Sequence, residues 1–418
     1  MLNVEEIRKD FPILSREING RRLIYFDNAA TTQKPVQVIN RIMEFYMKNH
    51  ANIHRGIHTL SQEASQLYEE ARETIAKMIN ADPREIVFTK NTTEAINIIA
   101  YTWALRKLKK GDEIITSLME HHSNITPWIT LSQLIGVKVK FIGVNADGKL
   151  KMEDIPKLIN KRTKLITITH ASNVLGTIND VKGIVKIAHE NGIPVAVDAA
   201  QSAPHMPINV KNMDCEFLAF SGHKMLGPSG TGVLYIKSEI LKEIEPTVSG
   251  GGTIKNVKWT PEMGTCKIDW GEGPEKLEAG TPNIAGVIGL GEAAKYLMKI
   301  GLEEVEKHEK MLVEETMKGL MEIGDVKIYG PKNPNERVGI VAFNINGLNP
   351  HQTALILDQY GIAVRSGFHC AEPIHQIIGA EEGSVRASYY IYNTKSEVEE
   401  MLNVIREIVE MKRDGEVR

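Results

Sequence analysis

Between residues 81 and 241, short runs rich in β-branched residues alternate with stretches whose apolar positions recur at helical spacing. This rhythm predicts an α/β architecture, a mainly parallel sheet sandwiched by helices, because parallel strands are joined by long crossovers and buried on both faces. Strands are expected at 85–89, 113–117, 138–142, 165–169, 195–198, 217–220 and 232–236. Most of these runs end in a polar or glycine-containing turn, and in open parallel sheets ligands gather beyond the carboxyl ends of the strands. The chemistry is therefore expected in those turns.

From 249 to 281 the periodicity disappears in a glycine-rich, tryptophan-containing segment that is too long for a plain connector. Residues 284–300 then read as a helix leading into a second lobe, where charged helices at 302–321 and 396–411 bracket strand-like runs at 339–344 and 361–365. The expected division is an N-terminal segment, 1–24, packed on the small domain, then a large cofactor-binding domain, 25–283, and a smaller α+β C-terminal domain, 284–418. A chain of 418 residues exceeds what one hydrophobic core usually supports, which agrees with two domains.

Composition narrows the function classes. A formal net charge of −3 gives no ground for a nucleic-acid partner, and no apolar run approaches membrane-spanning length. The first ten residues mix acids and bases where a secretory leader would be apolar. Three scattered cysteines, Cys215, Cys266 and Cys370, make neither a disulfide framework nor a paired metal site, and suit a reducing cytoplasm. No metal is expected, since the adjacent His121 and His122 lack a third ligand at helical spacing.

The most informative stretch runs from Phe217 to Lys224, an apolar strand leading into a lysine. Desolvation at the end of a buried strand disfavours the ammonium, so the amine can attack an aldehyde near neutral pH. Taken alone, such a lysine also reads as the start of a surface loop. Upstream, another apolar run ends at Asp198, where a partly buried carboxylate demands a cation. The pyridinium nitrogen of pyridoxal phosphate is such a cation, and holding it protonated keeps the ring an electron sink. A helix cap is the alternative for Asp198.

Thr92 and Thr93 follow a strand and open a helix, which aims backbone N–H groups and hydroxyls at an anion, with Thr92 also cast as the helix cap. His121, in the turn 119–124, is read as packing on an aromatic cofactor, and Asn173 lies just beyond another strand. Glycine clusters at 227–232 and 289–294 imitate nucleotide motifs but lack their strand–turn–helix setting. In the second lobe Cys370 sits in a glycine-containing loop, with Arg365 and His369 expected to favour its thiolate. Cys215 and Cys266 are read as inert packing residues. Arg386 has the fork geometry to clamp a carboxylate, or to make a surface salt bridge.

Taken in order, the segments 25–30, 54–61, 91–94, 119–124, 172–176, 197–201, 220–224, 278–283 and 365–370 resemble the class V aminotransferase superfamily of fold-type I pyridoxal phosphate enzymes. Within it they are most similar to the group II (SufS-like) cysteine desulfurases. The resemblance implies that Lys224 carries the cofactor covalently, Asp198 pairs with the pyridinium and Gln201 with the ring hydroxyl, while the catalytic His121 stacks on the ring. It assigns the phosphate to Thr93, Ser221 and His223, beside Thr92, and to Thr281 from the partner subunit of a homodimer. Asn173, Arg365 and Arg386 would bind substrate, and Cys370 would receive the sulfur.

The implied activity converts L-cysteine to L-alanine and leaves a persulfide on the enzyme. A sulfur carrier or scaffold protein would accept that sulfur for iron–sulfur cluster assembly. A selenocysteine lyase, or another class V aminotransferase-like enzyme, is the alternative. Phe368 departs from the pattern, since many relatives have histidine two residues before the cysteine.

Overall fold

The computed structural model describes residues 2–415. Seven strands form the main sheet in the order Ile86–Thr89, Gly232–Ile236, Phe217–Ser221, Val195–Asp198, Thr163–Thr169, Glu113–Ser117 and Lys138–Ile142. Side chains alternate across a strand, and here both faces are apolar. Leu218 and Phe220 join one buried cluster, together with Tyr68 and Ile75 of helix Thr59–Ile79 and Leu290 of helix Ile284–Ile300. Phe217 and Ala219 join a second cluster on the opposite face, with Trp128 and Leu131 of helix Thr126–Ile135.

One strand departs from the parallel expectation. Gly232–Ile236 runs antiparallel to both of its neighbours, while the other pairings are parallel. Its connection from the preceding strand, 222–231, contains a single 3-10 turn, too short for the crossover that a parallel return requires.

The aperiodic segment 249–281 contains a β-hairpin, Ile254–Thr260 with Thr265–Trp270. Its strands are mostly exposed, so neither face imposes the alternation by which a half-buried strand is recognised.

The second lobe is an antiparallel sheet in the order Val326–Tyr329, Ile340–Ile345, Ser384–Ser388 and Arg365–Gly367. Helices Leu302–Ile323 and Lys395–Arg413 cover it through a core that includes Leu312, Phe343, Val385 and Ile405. The run expected at 361–365 is divided between two sheets. Ile362–Ala363 pairs in parallel with Ile24–Tyr25, and Arg365–Gly367 pairs with Ser384–Ser388. Ile24 and Phe26 thereby enter the core of this lobe, and Arg8 of helix Val4–Arg8 pairs with Glu397 at 2.7 Å. Among the described residues no helix is long and apolar enough to cross a membrane.

Candidate active site

Strand Phe217–Ser221 passes into the 3-10 turn Gly222–Lys224, which brings Lys224 to the wall of a cavity of about 250 Å³. Asp198 ends the neighbouring parallel strand, in register with Ala219, and lines the same cavity. Burial lowers the Lys224 pKa to about 8, the positive charges of Arg386 and Arg365 push the same way, and the Asp198 carboxylate opposes them. Burial also raises the Asp198 pKa, against an N–H donated by Ala200 to Oδ1 at 2.9 Å. Gln201 donates from Nε2 to the Ala29 carbonyl at 2.7 Å, while its buried Oε1 has no partner among the described residues.

At the other end of the cavity the helix cap is Asn91, not Thr92. The Asn91 Oδ1 accepts from Glu94 N at 2.9 Å, and the Glu94 carboxylate accepts from Lys90 N. Thr92 is thereby free to face the cavity, where its hydroxyl lies 2.7 Å from that of Ser221. This turn crosses Gly232 so closely that a Cβ there would stand 2.6 Å from the Asn91 Cα. Thr93 and His223 complete this end. Burial, then the Lys224 charge, lowers the His223 pKa to about 4, so its ring is neutral.

The remaining wall joins the two lobes. His121 accepts from Ser123 N at its Nδ1, and burial lowers its pKa to about 3. The next residue donates its backbone N–H to the Cys370 carbonyl at 2.8 Å. Asn173 Nδ2 donates to the His369 carbonyl at 2.7 Å. These two bonds hold a loop in which both His369 and Cys370 are left-handed, with φ of 51° and 56°, a conformation that costs about 1–2 kcal/mol at each non-glycine residue. The Cys370 thiol residue is exposed.

Two readings of the thiols are corrected here. His369 lies against the Ser384 carbonyl, and burial lowers its pKa to about 2, so it contributes no positive charge to a neighbouring thiolate. The cations that share the cavity with Cys370 are Lys224, Arg365 and Arg386. Cys215 is buried as expected, but Cys266 is exposed because it stands on the solvent-facing hairpin.

Arg386 is almost wholly buried on strand Ser384–Ser388. Its Nη1 donates to the Asn173 carbonyl at 2.8 Å and its Nη2 to Asp27 at 3.2 Å, while Nε has no partner among the described residues. Ala29, Ala30, Ser123 and Thr169 also line the cavity and were not anticipated. Ala29 and Ala30 lie inside the segment 25–30, which was the available signal, but alanine itself indicates no chemistry.

Every anticipated site residue lines this cavity except Thr281, which is exposed and borders a separate cavity with Lys90 and Tyr101. The loop leading to it is anchored by Glu278, buried against Arg72 at 2.7 Å and Tyr68 at 2.9 Å. Among the described residues no group of three His, Cys, Asp or Glu side chains is placed to hold a metal ion.

The model of the aminotransferase class-V family matches residues 24–401. The chain belongs to this family. It is 46% identical over 399 residues to a probable cysteine desulfurase of Halalkalibacterium halodurans, covering 95% of this chain and 96% of that protein. It is 43% identical over 418 residues to a cysteine desulfurase of Haloferax volcanii, covering 97% and 96%. The solved structure of a cysteine desulfurase from Thermococcus onnurineus superposes with a TM-score of 0.92 at 45% identity, over 98% of this chain and 99% of that one.

Proposed function

We propose that the protein is a pyridoxal phosphate-dependent cysteine desulfurase that moves the sulfur of L-cysteine onto Cys370 and releases L-alanine. The observation that carries this reading is one cavity walled by a desolvated lysine, a buried aspartate and an accessible cysteine, with the cysteine supplied by the other lobe.

The residues present fit the cofactor. The amine of Lys224 suits its aldehyde and the carboxylate of Asp198 its ring nitrogen. The partnerless Gln201 Oε1 suits the ring hydroxyl, and the flat, neutral His121 suits the ring face. Thr92, Thr93, Ser221 and His223 would hold the phosphate through hydroxyl, imidazole and backbone donors, with Thr281 of a second subunit completing that end in a homodimer. Bound there, the cofactor supplies an electron sink for the substrate α-carbon.

The chain's own residues do the rest. Arg386, with Asn173 and Arg365 beside it, binds the substrate carboxylate by charge-assisted hydrogen bonds. Lys224 Nζ, with its pKa near 8, takes the α-proton and returns it to the carbon skeleton. The Cys370 thiolate attacks the substrate sulfur, forming an S–S bond as the C–S bond breaks. The electron pair of the broken bond stays with the carbon fragment, which is protonated to alanine. The net change is cysteine plus a thiol to alanine plus a persulfide.

The exposure of Cys370 supports hand-over of that sulfur to a carrier or scaffold protein, and the role proposed for it is iron–sulfur cluster assembly in the cytoplasm. The same reading divides the chain into a segment 1–24, a large domain 25–283 and a small domain 284–418, with helix Ile284–Ile300 packed on the main sheet and Phe26 in the core of the small lobe. The test is Cys370→Ala, assayed for alanine release from cysteine and from selenocysteine. Loss with cysteine and retention with selenocysteine is expected. Full cysteine activity in the variant would refute the sulfur-transfer mechanism and leave a lyase.

A further inference from the structure

Asp27 follows the N-terminal segment 1–24 and is brought behind the cavity's arginines by its pairing with the small lobe. It forms a parallel bridge with Ser388, and the Ala29 N–H that follows donates to the Ser388 hydroxyl at 2.9 Å. From there its carboxylate reaches two guanidinium groups at once. Oδ1 lies 3.2 Å from Arg386 Nη2, and Oδ2 lies 3.5 Å from Arg365 Nη1. Both arginines line the cavity, one nearly buried and one about half exposed.

We propose that Asp27 is a positioning residue that fixes the Arg386 guanidinium edge-on to the cavity for a substrate carboxylate. This deepens the function proposed above by assigning a residue to its carboxylate end. A guanidinium has five N–H donors in one rigid plane, so two anchors define how the plane is turned. Arg386 has two such anchors, the Asn173 carbonyl on Nη1 and Asp27 on Nη2. Of the donors left over, Nε–H is buried and without a partner among the described residues. A buried, unpaired N–H is costly, which favours a ligand that supplies its acceptor. A planar carboxylate satisfies a guanidinium edge with two parallel hydrogen bonds. Asp27 also lies 3.5 Å from Arg365, so one carboxylate ties the two guanidinium groups together.

The experiment uses the cofactor-loaded enzyme and two non-thiol amines, L-alanine and ethylamine, titrated against the cofactor's visible absorbance. Both present an amine to the cofactor, and only alanine has a carboxylate. Because neither needs the thiol, the result is independent of whether Cys370 accepts sulfur. In Asp27→Ala the apparent dissociation constant for alanine is expected to rise about tenfold, with ethylamine within about twofold of wild type. Asp27→Asn keeps one acceptor oxygen in place and is expected to lose less; it carries the test should the alanine variant fail to fold. Unchanged or tighter alanine binding overturns the proposal, as does an equal loss for both amines, which would mark Asp27 as a merely structural residue.

Discussion

Gly383 is where one added methyl group should separate sulfur transfer from cofactor binding. Its φ is +87°, and a Cβ built there would lie 2.5, 2.6 and 2.7 Å from the C, O and Cα atoms of Gly367. These are backbone atoms and cannot rotate away. Holding alanine in the left-handed region costs about 1–2 kcal/mol, and overpacking adds about 1–3 kcal/mol, so Gly383→Ala imposes about 2–5 kcal/mol of strain. Against it stand the two hydrogen bonds that pin the thiol loop, from Asn173 to His369 and from the backbone of His122 to Cys370, worth about 0.5–1.5 kcal/mol each. At mid-range the strain, about 3.5 kcal/mol, exceeds the restraint, about 2 kcal/mol, so strand Arg365–Gly367 and the loop beyond it should shift. Lys224 and Asp198 stand on the other sheet. The variant should therefore keep the cofactor's visible absorbance while persulfide formation on Cys370 falls more than tenfold. Absorbance spectra, a thermal melt and a persulfide-trapping assay on one preparation test this. Wild-type persulfide formation together with an unchanged melting temperature would refute the packing argument.

On the proposed reading Asp198→Ala would leave the pyridinium without its buried anion, and removing one partner of a buried pair typically costs about 3–5 kcal/mol. Cofactor retention after dialysis, read from absorbance, should fall at least a hundredfold, and alanine production with it. Glu120 lies fully inside, held by the Ser117 hydroxyl and by Asn124 Nδ2 at 2.6 Å, and burial raises its pKa to about 8. Between about pH 4.5 and 8 the folded chain keeps this proton while the unfolded chain has lost it, so this group's contribution to stability declines as pH rises through that window. Glu120→Gln, which keeps both hydrogen-bond partners, should flatten the pH dependence of the melting temperature over the same range.

Much of the candidate site could be read from the chain because it sits at strand ends, and strand ends are local features. A run such as 217–220 is apolar, bounded and short, so the polar residues that follow it can be assigned to the rim of a sheet before any coordinates exist. Lys224, Asp198 and Thr92 follow from that logic, and Cys370 from its polar loop. Helix 284–300 was equally legible, since its period and its Asn283 cap are contained in its own residues.

Other features depend on partners distant in the chain, and local sequence has no access to them. The direction of Gly232–Ile236 follows from which strands flank it, and the hairpin 254–270 escaped notice because no packed face sorts its residues. His369 seemed a cation until Ser384 and the surrounding small lobe buried it as a neutral ring. Asp27 acquires its meaning only when strand pairing brings residues 27, 365 and 386 together. Hydrophobic period is written residue by residue, so it specifies elements and their ends. Desolvation, charge state and hydrogen-bond partnership are properties of the assembled volume, so only the tertiary structure decides them.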